Sequence, residues 1–348
     1  MPAASALRKK ASLSAGNSRA AYRRSLLHWY DQNRRQLPWR ESRDPYRVWL
    51  SEIMLQQTRV SAVLDHYRRF LQIFPDVETL AAAPEDAVLA AWSGLGYYRR
   101  ARMLHRCARE LVEKYGGSFP VSATGLEALP GIGRYTAAAI ASIAFEQPVA
   151  VVDGNVERVL QRLTAIDLSA AQTWQHADVL LDRSRPGDFN QAMMELGATV
   201  CTPRAPLCLV CPVRKWCDTQ GEAPRTTRLP RQNKKEIWCA LAHRDSKRSD
   251  GEVRLVQRSR KDSLMPGMWE LPQFPDRPEF ALQAPHWRTF RHSITTTDYT
   301  VHVLRASRIE NGLPANSVAK ARWIAVSRLP QIPITGLTRK ILRAGGII

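Results

Sequence analysis

The sequence predicts a mainly α protein, with an all-helical domain over roughly its first two thirds and a smaller α+β domain behind it. Three observations carry this. Apolar residues recur at helical spacing in one segment after another up to about residue 200, and no convincing strand precedes residue 235. A stretch at 219–235, rich in Pro, Lys and Arg with a single Glu, then gives way to strand-like alternation.

A chain of 348 residues with 44% hydrophobic side chains is long enough for two cores. Lys and Arg outnumber Asp and Glu by 51 to 32, a net charge of +19 that favours a polyanionic partner, because each phosphate neutralised releases counterions. No apolar run approaches the roughly 20 residues of a membrane span, so a soluble protein without membrane association is expected. Residues 1–20 hold Ala, Ser, Lys and Arg with no acid and are expected to form a disordered basic arm. Such a start also resembles an organellar transit peptide, but it lacks the apolar core of a secretory signal. A cytoplasmic, nucleoid-associated location is the first expectation and an organelle the second.

The helical domain, residues 21–218, opens with Tyr22, Leu26 and Trp29 on one face, ending before Leu37-Pro38-Trp39-Arg40. Asp44-Pro45 starts the next helix, the Asp as N-cap and the Pro at the first helical position. Its apolar face is interrupted by Gln56-Gln57-Thr58 and resumes from Val60 to Leu71, which predicts two helices joined at a polar kink. Val77–Ala91 and Arg99–Tyr115 follow as helices, separated by Gly94-Leu-Gly-Tyr-Tyr98 and closed by Gly116-Gly117. Helices over 135–145, 155–166, 173–183 and 188–200 complete the run. In the second domain, 236–348, strands are expected at Ile237–Ala242, Val253–Gln257, Tyr299–Leu304 and Ala321–Val326. Short helices are expected near Pro278–Leu282 and Leu337–Ala344.

Leu129-Pro-Gly-Ile-Gly-Arg-Tyr-Thr136 puts a glycine turn, with Gly131 and Gly133, between two helical segments. The unpaired N–H groups at the start of the second segment can hold a phosphate against the positive end of its dipole, a grip that reads no bases. Val152-Asp-Gly-Asn-Val-Glu-Arg158 then sets Asp153 at the mouth of the following helix.

Four of the six cysteines, Cys201, Cys208, Cys211 and Cys217, fall within seventeen residues, which in an intracellular chain argues for metal rather than disulfides. Four thiolates can hold zinc or a [4Fe-4S] cluster. Only Cys208 and Cys211 form a close pair, and the uneven spacing favours the cluster. It would shape a DNA-contacting loop rather than carry a reaction. Cys107 and Cys239 read as ordinary buried thiols.

Glu52 lies in the long amphipathic stretch beside the polar kink, where an arbitrary glutamate would simply face water. Its neighbourhood of Trp39, Leu55 and Gln57 offers groups that stack on or wedge beside a nucleobase. Buried near a base, Glu52 would have its pKa raised and could serve as a general acid. Asp153, ionised at a helix start, would face the positive charge that develops on a sugar as its base departs. That division between two carboxylates is the logic of glycosidic cleavage.

The hairpin, the Val152-Asp-Gly154 segment and the cysteine array together resemble the helix-hairpin-helix, endonuclease III-like DNA glycosylase superfamily. Within it, Leu50-Ser-Glu-Ile-Met-Leu-Gln-Gln-Thr58, Gly94-Leu-Gly-Tyr-Tyr98, Asp153-Gly-Asn155 and Phe189-Asn-Gln-Ala-Met-Met-Glu-Leu-Gly197 closely resemble the MutY adenine DNA glycosylases. The resemblance covers about residues 22–218. It implies base excision repair: removal of adenine mispaired with 8-oxoguanine or guanine in double-stranded DNA, after base flipping. It further implies that Glu52 protonates adenine and Asp153 stabilises the oxocarbenium-like sugar. Tyr135 and Asn155 would assist around sugar and water, Glu195 would read the adenine edge, and Gln57 and Tyr97 would fill or wedge the lesion. Trp39, Arg40 and Leu55 would line the DNA side. Related bifunctional enzymes carry a lysine where this chain has Tyr135, so a monofunctional glycosylase is expected.

The family adds a Nudix-like domain, and Leu264-Met-Pro-Gly-Met-Trp-Glu-Leu-Pro272 resembles part of it. The acidic helix of nucleotide-hydrolysing Nudix enzymes is missing, so pyrophosphatase activity is not expected. The family's Phe-Ser-His lesion contact is replaced by Phe290-Arg-His-Ser-Ile-Thr-Thr296, which leaves lesion reading to residues such as His292, Ser293 or Thr295. A monomer is expected, with the connector the segment that could meet repair factors. The alternatives are a superfamily enzyme with another target base and a non-catalytic iron–sulfur DNA-binding protein.

Overall fold

The computed structural model describes residues 16–221, 233–246, 249–278, 286–294, 296–305 and 321–348. By internal contacts the chain forms two compact units, Met1–Gln57 with Glu110–Thr226 and Thr58–Arg109 with Thr227–Ile348. This division cuts across the linear one drawn from composition: a run of helices read with the first domain counts with the β-rich region.

The first unit holds α1 (Gly16–Asn33), α2 (Pro45–Leu55), α7 (Ala123–Glu127), α8 (Arg134–Phe145), α9 (Gly154–Thr164), α10 (Ala170–Leu180) and α11 (Pro186–Thr199). The expected arm is corrected at its end, since residues 16–20 are the first turn of α1; residues 1–15 lie outside the described ones. Asp44 caps α2 as read, accepting from Arg47 N at 3.0 Å with Pro45 at the first position. The glycine turn joins α7 to α8, with Gly131 at a φ of +78° and Gly133 as the extended N-cap. The core gathers Tyr22, Leu26 and Tyr30 of α1, Val156 and Leu160 of α9, and Phe189 and Leu196 of α11.

The second unit holds α3 (Val60–Ile73), α4 (Val77–Ala82), α5 (Glu85–Trp92) and α6 (Arg99–Tyr115) together with the strands. The single helix expected over 77–91 is two, because Pro84 lacks the N–H that would continue α4. The strands are β1 (Asn233–Leu241), β2 (His243–Ser246), β3 (Ser249–Gln257), β4 (Trp269–Glu270), β5 (Gln273–Phe274), β6 (His286–Ile294), β7 (Thr297–Arg305) and β8 (Ala321–Ala325), and α12 (Gly336–Ala344) closes the chain. One sheet has the order β5-β1-β7-β6 with β1 and β7 parallel, and the other runs β2-β3-β4 with β8 on β3. Cys239, Leu241, Val253, Val301 and Val303 pack beneath Ile341 and Leu342 of α12. The region is α+β as expected. The connector ends sooner than read, since residues 233–235 already pair in β1, while 222–232 lie outside the described residues. Of the helix expected near Pro278–Leu282, residues 279–282 also lie outside them.

Candidate active site

From Val48 to Met54, two turns of α2 are buried on all sides, with Val48, Trp49, Leu50, Ser51, Ile53 and Met54 enclosed around Glu52, while Arg47 is exposed. A helical stretch without a solvated face carries its glutamate inward. Glu52 is 7% exposed, and burial pushes its carboxyl up to about 7, helped by the charge of Asp153 and opposed by Tyr135 and Arg40. Tyr135, one residue into α8, donates its hydroxyl to Glu52 Oε2 at 2.6 Å and lies 3.6 Å from Met194 Sδ. Burial, reinforced by the charges of Glu52 and Asp153, holds that phenol well above its ordinary value, so it remains a donor.

Asp153 is the N-cap of α9. Its Oδ1 accepts from Asn155 N at 2.9 Å and Val156 N at 2.7 Å, and its Oδ2 from Asn155 Nδ2 at 2.7 Å. Asn155 is held in turn by Arg158, whose Nη2 donates to Asn155 Oδ1 at 2.9 Å and to Gly197 O at 2.7 Å, while its Nε reaches Cys201 O at 2.9 Å. α11 can approach α9 this closely because residue 197 is glycine: a Cβ there would stand 2.6 Å from Asn155 Cβ. Asn190, buried on α11, fixes the segment leading to Asp153 by donating to Val149 O at 2.9 Å and accepting from Val151 N at 3.1 Å.

Glu195, on α11, is held by two arginines. Its carboxylate is fully enclosed and accepts from Arg35 Nε at 2.7 Å, Arg35 Nη2 at 2.8 Å, Arg35 N at 3.1 Å and Arg40 Nη2 at 2.9 Å. Burial would raise its pKa, but the two guanidiniums outweigh this and hold it at about 2. In this structure it orients two arginines. Trp39 is buried in a short turn beside Arg40. Leu55 ends α2, half-buried, and Gln57 is exposed at a φ of +54°.

The remaining residues singled out in sequence fall elsewhere. Tyr97, in the second unit, is 47% exposed at a φ of +50°. His292 and Ser293 lie at the end of β6, Ser293 Oγ donating to Asp298 Oδ1 at 2.5 Å; Thr295 is outside the described residues. The four loop cysteines are free thiols that line one small cavity of about 30 Å³ with Arg162 and Arg214. Arg162 clamps the loop, donating to Thr202 O at 2.7 Å, Pro203 O at 3.1 Å and Cys201 Sγ at 3.3 Å. Among the described residues no three possible ligands stand close enough to hold a single metal ion. Arg35, Arg158 and Asn190 were missed in sequence. Arg158 carried a signal, one helical turn after Asn155.

Residues 50–181 match the family model described as HhH-GPD superfamily base excision DNA repair protein. An adenine DNA glycosylase of Homo sapiens is 36% identical over 409 residues, an alignment covering 93% of this chain and 73% of the relative. The chain belongs to the adenine DNA glycosylase family. Another member, from Rattus norvegicus, is 53% identical over 212 residues, 57% of this chain. The chain spans only 41% of that relative's length. A solved structure of a thermostable thymine-DNA glycosylase is 31% identical with a TM-score of 0.55, covering 58% of this chain and 96% of that one. The matched residues 50–181 include the hairpin, Glu52 of α2 and the Asp153 cap of α9.

Proposed function

We propose that this chain is a monofunctional adenine DNA glycosylase that excises adenine mispaired with 8-oxoguanine or guanine in duplex DNA. The observation that carries the reading is the buried Glu52–Tyr135 pair beside the capped Asp153. The hairpin supports DNA binding: Ala137 N donates the first helical bond of α8 to Gly133 O, which leaves the N–H groups of residues 134–136 ahead of it for a phosphate.

With its pKa at about 7, Glu52 is substantially protonated at neutral pH. Tyr135 occupies Oε2 as donor, so the acidic proton belongs on Oε1. As the C1′–N9 bond breaks, its electron pair passes into the purine and the Glu52 proton goes to the ring. Asp153, fixed by its N-cap bonds, faces the cationic sugar left behind. Water then adds at C1′ and its proton returns to the Glu52 carboxylate. Tyr135 offers no amine for a Schiff base, so strand cutting is not part of the cycle. Gln57 and Tyr97, both held at positive φ, are read as fillers of the gap opened beside the mispair.

Cys201, Cys208, Cys211 and Cys217, four thiols that line one cavity, would hold a [4Fe-4S] cluster. Its chemistry here would be structural, fixing the loop that Arg158 and Arg162 tie to α9.

A single-turnover assay on duplexes with A:8-oxoG, A:G, T:G and thymine glycol tests the reading. Adenine release from the first two alone is expected. Release of thymine or its glycol instead would assign another target, and an unaltered Glu52→Gln protein would leave a binding protein only. Efficient borohydride trapping of wild-type protein on DNA would overturn the monofunctional assignment.

A further inference from the structure

The loop between α5 and α6 displays Tyr97 by an uncommon backbone: Gly94, Gly96 and Tyr97 have φ values of +108°, +71° and +50°. A Cβ on Gly94 would stand 2.9 Å from His66 Nε2, so glycine is required there twice over. While Tyr97 stands out, its neighbours Ser93, Leu95 and Tyr98 are buried. The buried side converges on one carbonyl. Ser93 Oγ donates to Ile334 O at 2.8 Å, and Tyr98 donates its hydroxyl to the same oxygen at 3.1 Å. Arg339, on α12, donates from Nε to Ser93 Oγ at 3.2 Å, so the serine relays between the arginine and the carbonyl.

That carbonyl is itself anchored. Trp269 N donates to Pro333 O at 2.7 Å, Thr335 N returns a bond to Trp269 O at 2.9 Å, and Thr335 caps α12. On the other side of the loop, Arg100 lies 5.3 Å from the Tyr97 ring and 5.5 Å from the Trp92 ring, with Nη2 on Thr58 Oγ1 at 3.1 Å. A side chain that wedges into a base stack must push against stacking free energy, and on an unsupported loop the loop would yield first.

We propose that the C-terminal segment Ile334–Arg339 is the rear support of the Tyr97 loop, with Arg339 and Ser93 as positioning residues for engagement of the mispair. The proposal rests on the reading of Tyr97 as a wedge. The test uses the full chain, a duplex carrying 2-aminopurine beside the A:8-oxoG mispair, and the variants Arg339→Ala, Ser93→Ala, Tyr97→Ala and Arg339→Ala with Tyr97→Ala. Fluorescence on binding reports unstacking, and single-turnover rates against protein concentration separate half-saturation from the saturated rate.

Arg339→Ala and Ser93→Ala are expected to lose the fluorescence rise and to raise half-saturation about tenfold, with the saturated rate within about twofold of wild type. The double variant is expected to match Tyr97→Ala. Ser93→Ala, which removes one oxygen, carries the test if Arg339→Ala lowers the folded fraction. A wild-type rise in Arg339→Ala and Ser93→Ala, or losses that add in the double variant, would overturn the positioning alone. A wild-type rise in Tyr97→Ala would remove the wedge reading and the positioning with it.

Discussion

Tyr135 and Glu52 are joined by a 2.6 Å hydrogen bond across 83 positions of sequence, the tyrosine donating. Burial raises the acid to about 7 and this bond draws it down. Adenine release should therefore fall as pH rises through about 7, and Tyr135→Phe should move that alkaline limb upward. Single-turnover rates across pH check the shift; an unmoved limb would show that Glu52 is not the titrating acid. Glu52→Gln should cost about 100- to 10,000-fold in rate with DNA binding retained.

The same carboxyl makes a stability prediction. Its folded value lies above the ordinary 4.5, so the folded state binds more protons between those limits. Stability then falls as pH rises from about 4.5 to about 7 and is level beyond. Glu52→Gln should be more stable than wild type at pH 8, by at most the order of 3 kcal/mol, and equal to it near pH 4 in thermal unfolding.

Glu195 has the opposite sign. Held at about 2 by Arg35 and Arg40, it contributes stability that is present above the ordinary carboxylate value and lost as pH falls toward 2. Glu195→Ala strands Arg40, whose side chain is only 12% exposed, and should destabilise by about 3 kcal/mol, measured by denaturant unfolding. A loss below about 1 kcal/mol would mean that the guanidiniums find water instead.

At position 197, alanine would press on Asn155. Gly197→Ala should displace the start of α9 and lower the adenine-release rate by about tenfold or more while metal content is unchanged. A normal rate would show that the helices part without moving Asp153.

Purified protein should carry about four irons per chain, and Cys208→Ala should lose them along with the visible absorbance. Stoichiometric zinc in the wild type would replace the cluster assignment with a single-ion site.

What could be read in sequence was written in short-range chemistry. The Asp44–Pro45 cap, the glycine turn before Arg134 and the Asp153 cap each depend on residues within four positions of one another. The occupation of Glu195 could not be read, because Arg35 lies 160 positions away and nothing near Glu195 announces it. β6 also escaped notice, since Phe290 is its one buried residue and its arginines obscure any alternation. The break at Pro84 was in plain view, but the apolar period continues across it and outweighed the proline.

In sequence, Glu52 precedes residues 58–109, which count with the other unit, while Tyr135 and Asp153 follow them. Until α8 has packed against α2 and brought Tyr135 to Glu52, the glutamate is an ordinary carboxylate in water, ionised at neutral pH. On the proposed reading, a nascent or locally opened chain would bring its basic charge to DNA without attacking it. Reactivity would then arrive together with the completed core, so that the stability of this fold would also guard against excision by a half-folded chain.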